Sequence, residues 1–206
     1  MSDDDRLKLF KVLITSPRSL FNLLISINVG VGVWVSLVGG WVSYRNLPNP
    51  TFGKLQSKLL PAYFRLTTLS STVLLLLFKT SNSIRFEHRS ILSVSLLSMT
   101  LSSLLNLIFI GPKTTGIMND RHSLRAKIRS KKLQSEKPGE IHHHDGESER
   151  EKDPLLDDEV DEVDKAQLIG LNKAFKKFHS VSTSLNLFGF LVPSFLTSLY
   201  VGHHGL

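Results

Sequence analysis

Three short stretches hold the side chains that could do chemistry in this chain. In "FHSVSTSLN" (residues 178–186), His179, Ser182 and Asn186 stand at offsets of three and seven, on one side of a helix. "TFGKLQSK" (residues 51–58) supplies Gln56 and Lys58, and "GPKTTGIM" (residues 111–118) supplies Thr114 and Thr115. Asn106 precedes the last of these by about one turn, and Arg65 follows Lys58 by about two turns. Amides, hydroxyls, an imidazole and two cations can hold a small polar solute, an ion or a lipid headgroup. The same groups can instead bond to one another and lock helices together. They do not form a nucleophile, base and orienting group. His179 and Ser182 have no acidic partner and no oxyanion feature beside them. Glu87 and Asp120 are the only carboxylates between Arg6 and Lys132. No catalytic residue, metal or cofactor is therefore expected. The run His142, His143, His144 offers imidazoles, but in an acidic loop without tetrahedral ligand spacing.

The elements that must position these residues are apolar. Mean hydropathy is near zero, yet the average hides two kinds of segment. Residues 20–44, 90–110 and 181–201 carry no charge, and residues 59–78 carry only Arg65. Each run is about 20 residues or more, enough to cross a bilayer core of about 30 Å as a helix. The expected fold is all-α: an integral membrane four-helix bundle with a long disordered loop between helices three and four. A soluble domain of 206 residues would not carry four such runs. Residues 1–19 and 202–206 are then tails. The N-terminal tail lacks a cleavage site after a short apolar core, so the first helix is expected to act as its own targeting signal. The absence of cysteine excludes disulfides, thiolate metal sites and S-acylation.

Within this frame, Gly32, Ser36 and Gly40 recur every four residues on helix one, where a second helix backbone can pack closely. Trp41 and Tyr44 suit the membrane interface, and Trp34, deeper, is expected against a neighbour. Asn49 and Pro50 read as a cap and first turn, so helix two starts before the membrane. Pro61 and Pro193 predict kinks. Ser95, Ser98, Ser102 and Asn106 form a polar stripe on helix three, which is expected to stop at Gly111-Pro112.

Residues 121–164 are poor in aromatics, basic first and acidic later, and read as a disordered charged loop. In residues 165–180, Leu168, Leu171, Phe175 and Phe178 share a face. They predict a basic amphipathic segment on the membrane surface, or a plain extension of helix four. The basic stretch 121–132 should attract anionic lipid headgroups. Nucleic acid is a poor partner for a membrane chain without interleaved aromatics. "EKDPLL" matches a pattern that vesicle-sorting adaptors read, through Glu151, Leu155 and Leu156, although such short matches also arise by chance. The count of Lys and Arg near the helix ends places the helix 1–2 loop and the long loop in the cytosol. Helix alternation brings Gln56, Lys58, Thr114, Thr115, His179, Ser182 and Asn186 to one membrane face, with Arg65 and Asn106 within reach.

The same segments carry a family resemblance. "YRNLPNPTFGKLQSKLLPAYF", "IGPKTTGIM" and "KAFKKFHSVSTSLNL" resemble, in order, signatures of the transmembrane protein 205 family of small four-helix membrane proteins. The matching positions include Leu47, Pro48, Thr51, Phe52, Gly53, Gln56, Ser57, Lys58, Pro61, Tyr63 and Phe64. They continue with Pro112, Thr114, Thr115 and Met118, then Phe175, His179, Ser182, Asn186 and Leu187. Leu60 stands where the family tends to have phenylalanine, and residues 122–150 look like a divergent insertion. The resemblance implies an integral protein of the endoplasmic reticulum or another endomembrane, with the plasma membrane or mitochondrial outer membrane as alternatives. It implies no established reaction. The expected function is non-catalytic: handling or trafficking a small solute, or organising membrane. The alternatives are a channel or transporter using the polar face, and a lipid-modifying membrane enzyme.

Overall fold

The computed structural model describes residues 2, 4, 5, 16–80, 89–135 and 160–204. Four helices account for nearly all of them, and all four are long and apolar enough to span a membrane. Helix α1, Pro17–Asn46, starts where the Ser16 hydroxyl accepts the Ser19 N–H at 3.1 Å, with Pro17 at the first position, where its missing N–H costs nothing. Helix α2, Asn49–Thr80, starts as the Pro48 carbonyl accepts the Phe52 N–H at 2.9 Å. That start lies well ahead of the apolar run, and the helix continues through Pro61. Helix α3 comprises Arg89–Leu105, a wide π-helical turn Asn106–Ile110, and Gly111–Ser135. Helix α4 comprises Glu162–Ser184, a π-helical turn Leu185–Leu191, and Val192–His204. A third π-helical turn, Trp34–Gly39, interrupts α1.

Helix α1 packs on α2, α2 on α3, α3 on α4, and α4 closes back on α1, an antiparallel ring. Its interior is layered. At the end near the chain termini, Phe21, Ile25, Leu74, Phe78, Leu92, Leu96 and Met99 form an apolar core. Toward the opposite end the buried groups turn polar: Thr67, Ser102, Asn106 and Ser182. The outer surface is the reverse, with Leu23, Leu37, Leu69, Leu76, Ile91, Val94, Leu101, Phe188 and Leu199 exposed. An apolar outer surface, with the polar side chains turned inward, is the arrangement that lipid selects.

Helix α3 does not stop at Gly111-Pro112. The Gly111 N–H bonds the Asn106 carbonyl, five residues back, so the helix is already widened where the Pro112 ring must fit. The same device precedes Pro193, where the Val192 N–H bonds the Leu187 carbonyl. The helix runs on to Ser135, so the first part of the expected loop 121–164 is helical, and its last residues open α4. The region between, with His142, His143, His144, Glu151, Leu155 and Leu156, lies outside the described residues. Residues 165–180 are not a separate helix on the membrane surface. They extend α4, and their apolar face packs on α3: Leu168 is wholly buried with Leu124 and Ile128, flanked by Val160 and Leu171. Lys131 and Lys127 reach the Asp164 carboxylate at 2.6 and 3.6 Å. The extended parts of α3 and α4 thus form a two-helix stalk beyond the bundle. The 43 residues of Arg89–Lys131 make about 64 Å of helix, twice a hydrocarbon core.

Candidate functional site: a polar layer beneath the stalk

Buried polar groups gather where the stalk meets the bundle, and Ser36, Asn106 and Asn186 among them sit in the π-helical turns. Tyr63, only 3% exposed, follows Pro61 by two residues on α2. Its hydroxyl donates to Asn186 Oδ1 at 2.7 Å, and Asn186 Nδ2 donates to Ser36 Oγ at 2.7 Å. One amide therefore joins α1, α2 and α4. Asn186 and Ser36 both lie in π-helical turns. Asn106, at the head of the third such turn, is wholly buried, and its Nδ2 donates to the Ser182 carbonyl at 3.3 Å. On the same face of α3, the Ser98 hydroxyl donates to the Gly189 carbonyl at 3.0 Å. Pro193, four residues on, has no N–H to offer that carbonyl.

Close approach makes these bonds possible. A Cβ on Gly32 would stand 2.9 Å from Leu191 Cδ1, and one on Gly189 would overlap the Ser102 side chain. Deeper in the bundle, Ser70 donates to Asn28 Oδ1, and the Ser71 and Ser103 hydroxyls stand 3.5 Å apart. Among the described residues, Asn106 Oδ1, Asn28 Nδ2 and Thr197 Oγ1 are buried without a hydrogen-bond partner.

The structure brings together only part of the expected cluster. Asn106, Ser182 and Asn186 meet in the polar layer. The Thr114 hydroxyl folds back onto the Ile110 carbonyl at 2.7 Å, and Thr115 is half-buried. His179 stacks flat on Phe175, centroids 5.4 Å apart, in the stalk. Gln56 is half-buried, but Lys58 and Arg65 are exposed on the outer face of α2 that also carries Leu69 and Leu76. They do not converge with the rest, because a step of seven returns Arg65 to the Lys58 face. Gly32 and Ser36 do face a neighbour. Gly40 does not: the turn Trp34–Gly39 inserts extra backbone and rotates the remainder of the helix, and a Cβ on Gly40 would meet only the Val35 carbonyl of its own helix. Trp34, expected against a neighbour, is 64% exposed: two residues after the buried Gly32, it falls on the opposite side of the helix. Tyr63 and Asn28 are the polar partners that sequence reasoning missed. Their signal was present, since a tyrosine hydroxyl or an asparagine inside an apolar helix needs a partner from another helix.

Residues 23–123 match the family model of a domain of unknown function, DUF4149. That stretch takes in most of α1, all of α2 and α3 into the stalk. No solved structure matches the chain.

Proposed function

We propose that this chain is a non-catalytic multi-pass protein of an endomembrane that works at the membrane surface through its stalk, organising membrane there rather than passing solute. The observation that carries this reading is the Ser36–Asn186–Tyr63 chain. The polar side chains of the layer bond across helices to each other, while the cations Lys58 and Arg65 point outward. The four apolar helices fit a multi-pass membrane protein. The endomembrane and the transmembrane protein 205 family are supported by the motifs. Two of the three, 44–64 and 110–118, fall inside the stretch that matches the domain of unknown function.

A channel or transporter is the second reading. Asn28, Asn106 and Thr197 favour it, because their unpartnered buried atoms run through the depth of the bundle and would suit water or a small polar solute. Flux measured in sealed vesicles reconstituted with the full chain decides between the two. The surface reading expects ion and small-solute flux no faster than in protein-free vesicles. Flux that requires the protein and vanishes in a folded Asn186→Ala variant would replace it with the transporter reading. Lipid turnover that depends on His179 would replace it with an enzyme.

A further inference from the structure

Several cations near the membrane ends of the helices are engaged by rings of the chain itself. Arg45 lies over Trp41, Arg89 over Phe78 and Lys113 over Phe178, at 4.6, 5.0 and 4.6 Å. Lys58 and Arg65 differ. Both are exposed, and among the described residues no ring, carboxylate or carbonyl engages either side chain. They share one exposed face of α2 with Leu55, Ala62, Leu69 and Leu76, while the buried Tyr63, Thr67 and Leu74 mark the inward face. A charge inside a span normally turns to the bundle interior or pairs with another group. Arg65 does neither and faces lipid. By sequence it stands six residues, about 9 Å, inside the run that opens at Leu59. By packing it stands close to where α3 leaves its uncharged run, since a Cβ on Gly111 would lie 3.8 Å from Cδ2 of the adjacent Phe64. Helical side chains lean toward the N-terminus, which for α2 is the stalk side of the membrane. The Arg65 guanidinium therefore reaches back over Ala62, the small side chain between the two cations, and Lys58 stands a turn further out, among the headgroups.

We propose that this face of α2 holds a phospholipid of the stalk-side leaflet, with the lipid phosphate on Arg65 and a headgroup free of cations beside Lys58. The forked donors of the guanidinium match phosphate oxygens, and the short side chain of Ala62 leaves room for the phosphate against the helix. Leu69 and Leu76, further along the same face, offer the acyl chains an apolar track. Selection among headgroups falls to Lys58. The ammonium of a choline or ethanolamine headgroup, tethered to its phosphate, would be brought against the Lys58 ammonium, like charge to like charge. A glycerol or inositol headgroup brings only hydroxyls there, and the lipid keeps its net negative charge. The site goes beyond the membrane-surface reading. It needs α2 to cross the bilayer and is indifferent to flux, so lipid selection and vesicle flux fail separately.

The test uses the full chain in detergent micelles, with a fluorescent phosphatidylglycerol and a phosphatidylcholine of the same acyl chains and label. Wild type should bind phosphatidylglycerol about fivefold more tightly, the share of one surface cation. Arg65→Gln should weaken the binding of both lipids by about fivefold, and Arg65→Lys by less, because it keeps the charge and loses the fork. Lys58→Gln should act on selection instead: phosphatidylglycerol binds more weakly, phosphatidylcholine does not, and the preference between them disappears. Ala62→Leu changes no charge and should weaken both lipids by filling the space beneath Arg65, and it carries the test should Arg65→Gln fail to fold. Lys173→Gln, Lys176→Gln removes charge from exposed positions of α4 and should stay within about twofold of wild type. Equal affinity of wild type for the two lipids, unchanged binding in folded Arg65→Gln or Ala62→Leu, or an equal loss in the α4 variant overturns the proposal. So does a wild-type dimer in sedimentation that Ala62→Leu dissolves, which assigns the face to a second copy of the chain.

Discussion

Asn186 uses both ends of its amide, and this makes it the most exposed to mutation of the residues in the polar layer. Asn186→Ala removes the acceptor of the Tyr63 hydroxyl and the donor to Ser36 together. Interhelical hydrogen bonds in membranes average about 0.6 kcal/mol with a maximum near 1.7, so the variant should lose about 1–2 kcal/mol. A double-mutant cycle of Tyr63→Phe with Asn186→Ala, read by unfolding in micelles, should give a coupling of about 0.6–1.7 kcal/mol; additive losses would mean that the bond contributes nothing. Gly189 offers an opposite test. Alanine would normally favour a helix by about 1 kcal/mol, but here the new methyl overlaps Ser102, so Gly189→Ala should destabilise by about 1–2 kcal/mol net. Ser102→Gly in the same chain should recover most of that loss.

The elements explain which residues could be read in advance. The four spans were legible because an uncharged run of this length has few other uses. The inward stripe Ser98, Ser102, Asn106 was legible because it precedes the irregular turn of α3 and keeps the helical period. Gly40 was not, because a π-helical turn leaves no mark in composition and yet rotates every later side chain. Its two companions had a readable sign, a proline just downstream, but proline alone signals a stop or kink as readily as a widened turn. The α4 half of the stalk was legible as an extension of helix four, but the α3 half was not, for another reason. Among its described apolar side chains, the α3 segment buries Leu124 and Ile128, too few for a periodic pattern, and it depends on Leu168 from a distant part of the chain. Leu168→Ala should therefore raise amide exchange across the stalk while leaving the bundle protected, corresponding to a local loss of about 2–3 kcal/mol. The stalk should also respond to acid. The Lys131 ammonium beside Asp164 holds that carboxyl below its usual range. Its folded value is thus lower than its unfolded value of about 3.9, so the pair stabilises docking fully above that value and is lost as pH falls through the folded one. Exchange protection of the stalk should be flat between pH 7 and 5 and decline below about pH 4.

At the scale of the whole molecule, the absence of cysteine makes sidedness directly measurable. Single cysteines at the exposed positions Thr51, Ser123 and Gly202, challenged with an impermeant thiol reagent in sealed vesicles, should label with Thr51 and Ser123 on one side and Gly202 on the other. Shared sidedness of all three would break the four-crossing arrangement. Ser182, although near the same face, is buried against α3 and would be a poor reporter. The length of the stalk has a consequence of its own. Gly111–Ser135 spans 25 residues, about 37 Å of rise, whereas the Debye length at physiological salt is about 8 Å. The stalk is a ruler several screening lengths long. With it upright, the cluster of Lys127, Lys131 and Asp164 stands 16 to 20 residues, about 24–30 Å, along α3 from Gly111, outside the screened field of an anionic leaflet. The ion pairs that clasp the two helices of the stalk should therefore hold equally well over a neutral and an anionic membrane.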